Sequence, residues 1–173
     1  MQAIKIEEIK FESITHGKLS LIEVLKQIRI FIDEEPNELY SMVIGSDSHE
    51  EIGSSISNKK LKLVTAILIH RKGYGGKYFW IKKNVGNIHS LREKIYAETL
   101  MSLDIAREFV PHLHDYLDEK YITYDLEIHI DVGKKGDTRE MIKEVVGMVT
   151  GNGFVAKTKP EAYGASYVAD KHT

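Results

Sequence analysis

The sequence predicts an α/β fold: a mixed five-stranded sheet, combining an antiparallel hairpin with parallel crossovers, flanked by helices and preceded by an extra N-terminal helix. Three observations lead there. Stretches with apolar residues three and four apart alternate with short β-branched and aromatic runs, in the order helix, three strands, helix, strand, helix, strand, helix. Two of the strand-like runs are joined by Lys72-Gly73-Tyr74-Gly75-Gly76, a hairpin link, whereas helix-length segments separate the later ones and return the chain in parallel. Finally, 173 residues of 42% hydrophobic and 29% charged composition suffice for one core and not for two. Residues 1–39 are therefore read as an extension packed with the domain of residues 40–173.

Residues 20–33 place Leu21, Val24, Leu25, Ile28, Phe31 and Ile32 on one helical face, and Ser20 with Glu23 forms a capping box. Glu34, Glu35 and Pro36 end this helix, which is expected to cover a sheet edge or to form a dimer contact. Residues 40–46 read as a buried strand through Met42, Val43 and Ile44, running into a polar turn at Asp47-Ser48-His49. Residues 50–59 are loop. Residues 60–71 and 77–85 form the hairpin strands, and the adjacent Phe79 and Trp80 must face opposite sides, so one of them is expected in the core.

Residues 90–117 form a long helix with Leu91, Ile95, Ser102, Ala106, Phe109 and Leu113 on its inner face. Ser90 and Glu93 supply a second capping box, and Pro111 a kink or early stop. Residues 124–132 alternate, with Tyr124, Leu126, Ile128 and Ile130 facing the core and Asp125, Glu127, His129 and Asp131 on a partly wet face. Asp137 and Glu140 open the next helix, with Met141, Ile142, Val145, Met148 and Val149 inward, and Gly151 and Gly153 stop it. Residues 154–159 are a short extended segment, and a last helix rich in small residues begins at Pro160.

Composition excludes several classes of function. Without cysteine there is no disulfide framework, thiolate nucleophile or sulfur-ligated zinc, so any metal must be held by oxygen or imidazole. The longest apolar runs, such as residues 63–69, are too short to span a bilayer, and Lys5, Glu7, Glu8 and Lys10 occupy the place of a signal peptide's apolar stretch. A cytoplasmic protein with no membrane partner is the expectation. Lys and Arg number 24 against 26 Asp and Glu, so a nucleic-acid partner would need a local basic patch.

The strongest candidates for chemistry are carboxylates. Asp47 and Asp131 each end a strand, where open α/β sheets place function, and Asp170 lies on the final helix. Glu98 shares the inward stripe of Leu91, Ile95 and Ser102, and a carboxylate facing a sheet costs several kcal/mol unless something pairs it. A divalent cation would supply that pairing. Carboxylate oxygens suit Mg²⁺ or Mn²⁺, and two such ions about 4 Å apart can serve phosphodiester hydrolysis. Asp47 and Asp131 also have a bland reading, as Asx turns that merely end their strands. Of the two glutamates in the first turns of the long helix, Glu93 is accounted for by its cap, which leaves Glu98 as the site residue.

This order of elements, with acids at Asp47, Glu98, Asp131 and Asp170, resembles the ribonuclease H-like superfamily of nucleases, transposases and resolvases over residue 40 onward. The segments Ile44-Gly45-Ser46-Asp47-Ser48, Ser90-Leu91-Arg92-Glu93-Lys94, Ile128-His129-Ile130-Asp131 and Lys159-Pro160-Glu161-Ala162-Tyr163 are similar, more narrowly, to the bacterial YkuK-like family. The resemblance implies that the four acids bind two divalent ions, Mg²⁺ or Mn²⁺, with Glu98 on one and Asp170 on the other.

Further groups are candidates for supporting roles. Arg71, Lys72 and Tyr74 at the hairpin turn, and Lys134 and Lys135 just beyond Asp131, would meet phosphates and a base. His49, Glu93 and His172 could assist the carboxylates from behind. His112 and His114, two apart on a helix, diverge and read as surface. The functional expectation is a metal-dependent nuclease acting on RNA, DNA or a hybrid. The alternatives are a non-catalytic nucleic-acid-binding or protein-interaction module and a phosphatase for small phosphates.

Overall fold

Apolar alternation and helical stripes assemble as expected into a sheet with helices on both faces. The computed structural model describes residues 5–52, 59–86, 88–117, 124–133, 139–162 and 164–172. Among these the strands are β1 (Phe11–Ser13), β2 (Gly17–Leu19), β3 (Tyr40–Ile52), β4 (Lys59–Arg71), β5 (Gly75–Val85), β6 (Tyr124–Gly133) and β7 (Val155–Lys159). The helices are α1 (Leu21–Asp33), α2 (Leu91–Tyr116), α3 (Ile142–Gly151) and α4 (Gly164–His172), with single 3₁₀ turns at Ile6–Glu8 and Arg139–Met141. None of them is long and apolar enough to cross a membrane.

The sheet has seven strands, not five, in the order β2-β1-β5-β4-β3-β6-β7. The two additional strands come from the N-terminal segment: β1 pairs antiparallel with β2 and joins β5 where Glu12 faces Trp80. Three-residue strands are too short to carry a period-two signal, which is why the sequence conceals them. Gly17 at φ 68° closes their turn in a conformation that glycine adopts without strain. β3, β4 and β5 form an antiparallel meander, whereas β6 and β7 run parallel to β3 and follow helices.

A second departure concerns β3. It does not turn at Asp47 but continues to Ile52, because β4 supplies ladder partners as far as Ile52↔Lys59. Pairing with β6 stops sooner, at Gly45↔His129. Asp47 and Asp131 each stand two residues beyond that last pair, on strand ends that have separated.

α1, α2 and α3 pack on one face over a continuous core that includes Ile44, Ile67, Phe79, Phe109 and Ile128. α4 lies on the other, against β3, β4 and β6, over Val43, Val64, Ala66 and Trp80. Phe79 and Trp80 are thus both buried, one on each face. α4 also covers His129, which is 5% exposed rather than wet. The α1 capping box forms, and Pro111 does not stop α2, whose last turn is anchored by buried Leu113 and Leu117. Leu91 is 45% exposed instead of inward, because the first turn of α2 overhangs the sheet end. α3 proper starts at Ile142, and Asp137 lies outside the described residues. α4 begins at Gly164 and not at Pro160, which sits in a turn.

Phe11 is fully buried, with its ring 6.2 Å from that of Phe109. Phe11→Ala should therefore cost about 3–5 kcal/mol, as Phe109→Ala should, in one cooperative denaturant transition. A near-neutral Phe11→Ala would show that the N-terminal segment contributes nothing to the common core.

Candidate active site

The parting of β3 from β6 opens a pocket of about 270 Å³ at the end of the sheet. Asp47 enters it from β3 and Asp131 from β6, while α2 contributes Lys94 and Glu98 and the apolar wall of Leu91 and Ile95. β6 shifts register against β7 between Ile130 and Gly133, and that irregularity brings Lys159, the last residue of β7, beside Asp131. The Lys159 ammonium lies 2.5 Å from Asp131 Oδ1.

Glu98 is held from beneath. Its position follows from the register of α2 over β3, which a seam of hydroxyls fixes. Ser46 Oγ lies 2.7 Å from Thr65 Oγ1 and 2.8 Å from Ser102 Oγ. One pleat further, the Ser48 hydroxyl donates to Glu98 Oε1 at 2.6 Å. Lys94, one turn earlier on α2, donates to the Ser48 carbonyl at 3.1 Å and stands 3.7 Å from Glu98 Oε1. Glu98 is 5% exposed, and burial pushes its carboxyl up to about 7. The Ser48 hydrogen bond and Lys94 pull it back, and Asp47 and Asp131 add to the rise. Asp47 is raised too, first by burial and also by Asp131 and Asp170, against the Ser48 amide and Lys94. Lys159 is raised chiefly by its hydrogen bond to Asp131, with Asp47 and Asp170 adding attraction.

Asp47, Glu98 and Asp131 thus share one pocket. Asp170 is exposed on α4 and does not line that pocket, although its charge reaches Asp47 and Lys159. The other candidates are dispersed. Arg71, Lys72 and Tyr74 sit at the far end of the sheet, since Asp47 pairs with Val64 and the strand from there to Arg71 spans roughly 23 Å. There Arg71 lies 5.0 Å over the Phe31 ring and Lys72 pairs with Asp125 at 3.0 Å. Lys134 and Lys135 lie outside the described residues. Glu93 accepts from the His89 amide at 2.7 Å while Ser90 Oγ accepts from the Glu93 amide, a capping arrangement. His49 is exposed one pleat beyond Asp47. His172 stacks flat on Trp80, with centroids 3.7 Å apart, away from the carboxylates.

Sequence reasoning missed Lys94 and Lys159. The spacing of Lys94 to Glu98, one helical turn, was a usable signal. Lys159 had none beyond its place at the end of a strand, because its partner lies on a different strand.

Among the described residues, no three His, Asp or Glu side chains converge as a closed metal-binding group. The donor chemistry nevertheless suits a hard divalent cation: the carboxylates of Asp47, Glu98 and Asp131 line one pocket, and Glu98 is buried among them.

The Glu98 carboxyl titrates near 7 in the folded chain against an ordinary value of 4.5, so stability falls as pH rises between those values and the penalty is complete above 7. Glu98→Gln escapes it. In chelator the variant should gain at most about 3 kcal/mol over the wild type at pH 8 and nothing below pH 4.5, read from thermal melts. An equal gap at both pH values would contradict the burial argument.

Comparison with known proteins agrees with this fold. A sequence model described as ribonuclease H-like matches residues 23–173. The chain is also 31% identical over 172 residues to "Uncharacterized protein YkuK" of Bacillus subtilis (strain 168), covering 94% of this chain and 96% of that one. No solved structure matches it with comparable significance. On the strength of that match, and of a mixed sheet whose neighbouring parallel strands carry Asp47 and Asp131 two residues beyond their last pair, the chain belongs to the ribonuclease H-like family.

Proposed function

We propose that this protein is a divalent-cation-dependent nuclease that hydrolyses the phosphodiester backbone of nucleic acid. The observation that carries the reading is the gathering of Asp47, Glu98 and Asp131 into one pocket at the separated ends of β3 and β6. Family membership directs the choice of substrate class toward nucleic acid.

A phosphodiester is an anion and cannot approach three carboxylates unless cations offset them. A bound Mg²⁺ or Mn²⁺, held by Asp47 and Glu98 beside Asp131, would supply charge neutralisation at the phosphate and a lowered pKa for the attacking water. The chain's own residues do the rest. Ser48 fixes the Glu98 carboxylate by its hydrogen bond, so that this group need not reorganise. Lys94 is tethered to the Ser48 carbonyl and keeps a positive charge on the wall. Leu91 and Ile95 restrict water on one side and strengthen these charges. Asp131 and Lys159 form a charge-assisted pair that orients both groups at the mouth.

The same two lysines favour a second reading, a module that binds nucleic acid without cutting it, because they already offset part of the acidic charge. End-labelled RNA, DNA, hybrid and branched substrates with Mn²⁺ separate the two. Wild-type protein should cleave at least one class, and Asp131→Asn, prepared identically and folded, should lose about a hundredfold or more. Cleavage retained by the variant would overturn the assignment. Salt-dependent binding unaffected by chelator, with no turnover by either protein, would establish the binding module instead.

A further inference from the structure

The family resemblance implies two divalent ions, one on the Glu98 side and one on the Asp170 side, but the second of these positions holds a positive charge of the chain's own. Lys159 Nζ is 2.5 Å from Asp131 Oδ1, and the acids that act on it are Asp131, Asp47 and Asp170. Those are the three carboxylates that an ion on the Asp170 side would draw upon. Glu98, by contrast, faces Lys94 at the longer distance of 3.7 Å, and that lysine is committed to the Ser48 carbonyl.

From this geometry we infer that Lys159 is a built-in cation replacing one of the two metal ions, so that the pocket takes a single divalent ion on its Glu98 side. The inference rests on the metal-dependent reading above and deepens it. An oxygen with an ammonium 2.5 Å away cannot also take a divalent ion without forcing two positive centres into near contact. Charge points the same way. Asp47, Glu98 and Asp131 contribute three negative charges to the pocket, and Lys94 and Lys159 return two positive ones. Within the pocket that leaves a net of minus one, which one divalent ion already offsets and a second would overshoot further. Chain connectivity supports permanence: Lys159 ends a strand that is in register with β6 up to Ile130↔Thr158 and pairs with Gly133 across the shift that follows, so the ammonium is delivered by the sheet itself. Functionally, Lys159 would meet the phosphate as a fixed monovalent charge that needs no uptake from solution.

The test is a count of bound Mn²⁺ by isothermal titration calorimetry on the full chain, with folding checked by circular dichroism. Lys159 is 58% exposed along its side chain, so its replacement should not threaten the fold. Wild-type protein should bind one Mn²⁺ per chain. Lys159→Met should bind two, the added ion being lost again when Asp170→Asn is combined with it, and Lys159→Arg should remain at one. Two ions in the wild type, or one in Lys159→Met, would overturn the role given to Lys159 while leaving the metal-dependent reading intact. No binding by any of the folded proteins would overturn that reading, and this inference with it.

Discussion

The constraint on which the site depends is the burial of one carboxylate. Glu98 sits between α2 and β3 at 5% exposure, held by the Ser48 hydroxyl. A carboxylate in that position can exist only where polar partners have been arranged for it. The hydroxyl seam of Thr65, Ser46 and Ser102 continues from it into the core and fixes the register of α2 on the sheet. A slip of one residue along β3 would exchange Ser46 and Ser48 for Gly45 and Asp47 and put a second carboxylate beneath the helix. Register, helix placement and site geometry are therefore one problem with one solution.

Much of the fold was legible because its long elements carry strong periodic signals. The stripe from Leu21 to Ile32, the alternation from Tyr124 to Ile130 and the glycine link near Tyr74 each lead to an element that is present. The misses have identifiable causes. β1 and β2 are three residues each, and their hydrogen bonding depends on the edge of β5, which no local pattern announces. Asp47-Ser48 has turn chemistry in isolation, and only the ladder offered by β4 keeps it extended. In the site, Asp47 and Asp131 could be found because each follows an apolar run, and Glu98 because it interrupts an apolar stripe. Lys159 could not, since it owes its place to a register shift between two strands. The separation of Arg71, Lys72 and Tyr74 from the acids was not readable either, because sequence order does not say at which end of a sheet a turn will lie.

The two faces of the sheet divide the work. One carries the large core beneath α1, α2 and α3, which secures the position of Glu98. The other carries only α4, seated over Val43, Val64, Ala66 and Trp80 and finished by the stacking of His172 on Trp80. Asp170 belongs to this thinner layer, and its exposure contrasts with the burial of Glu98. That asymmetry parallels the distribution of charge, with a buried acid under α2 and a lysine paired with Asp131 across the pocket.

The central claim is that Asp47 and Glu98 hold a divalent cation in the pocket between β3 and β6. Anomalous diffraction from a crystal of the full chain soaked in Mn²⁺ tests it most directly. The account predicts a peak in that pocket at coordination distance, about 2.1 Å, from carboxylate oxygens of Asp47 and Glu98. A pocket with no peak at saturating Mn²⁺, or ions bound only at other carboxylates, would contradict it.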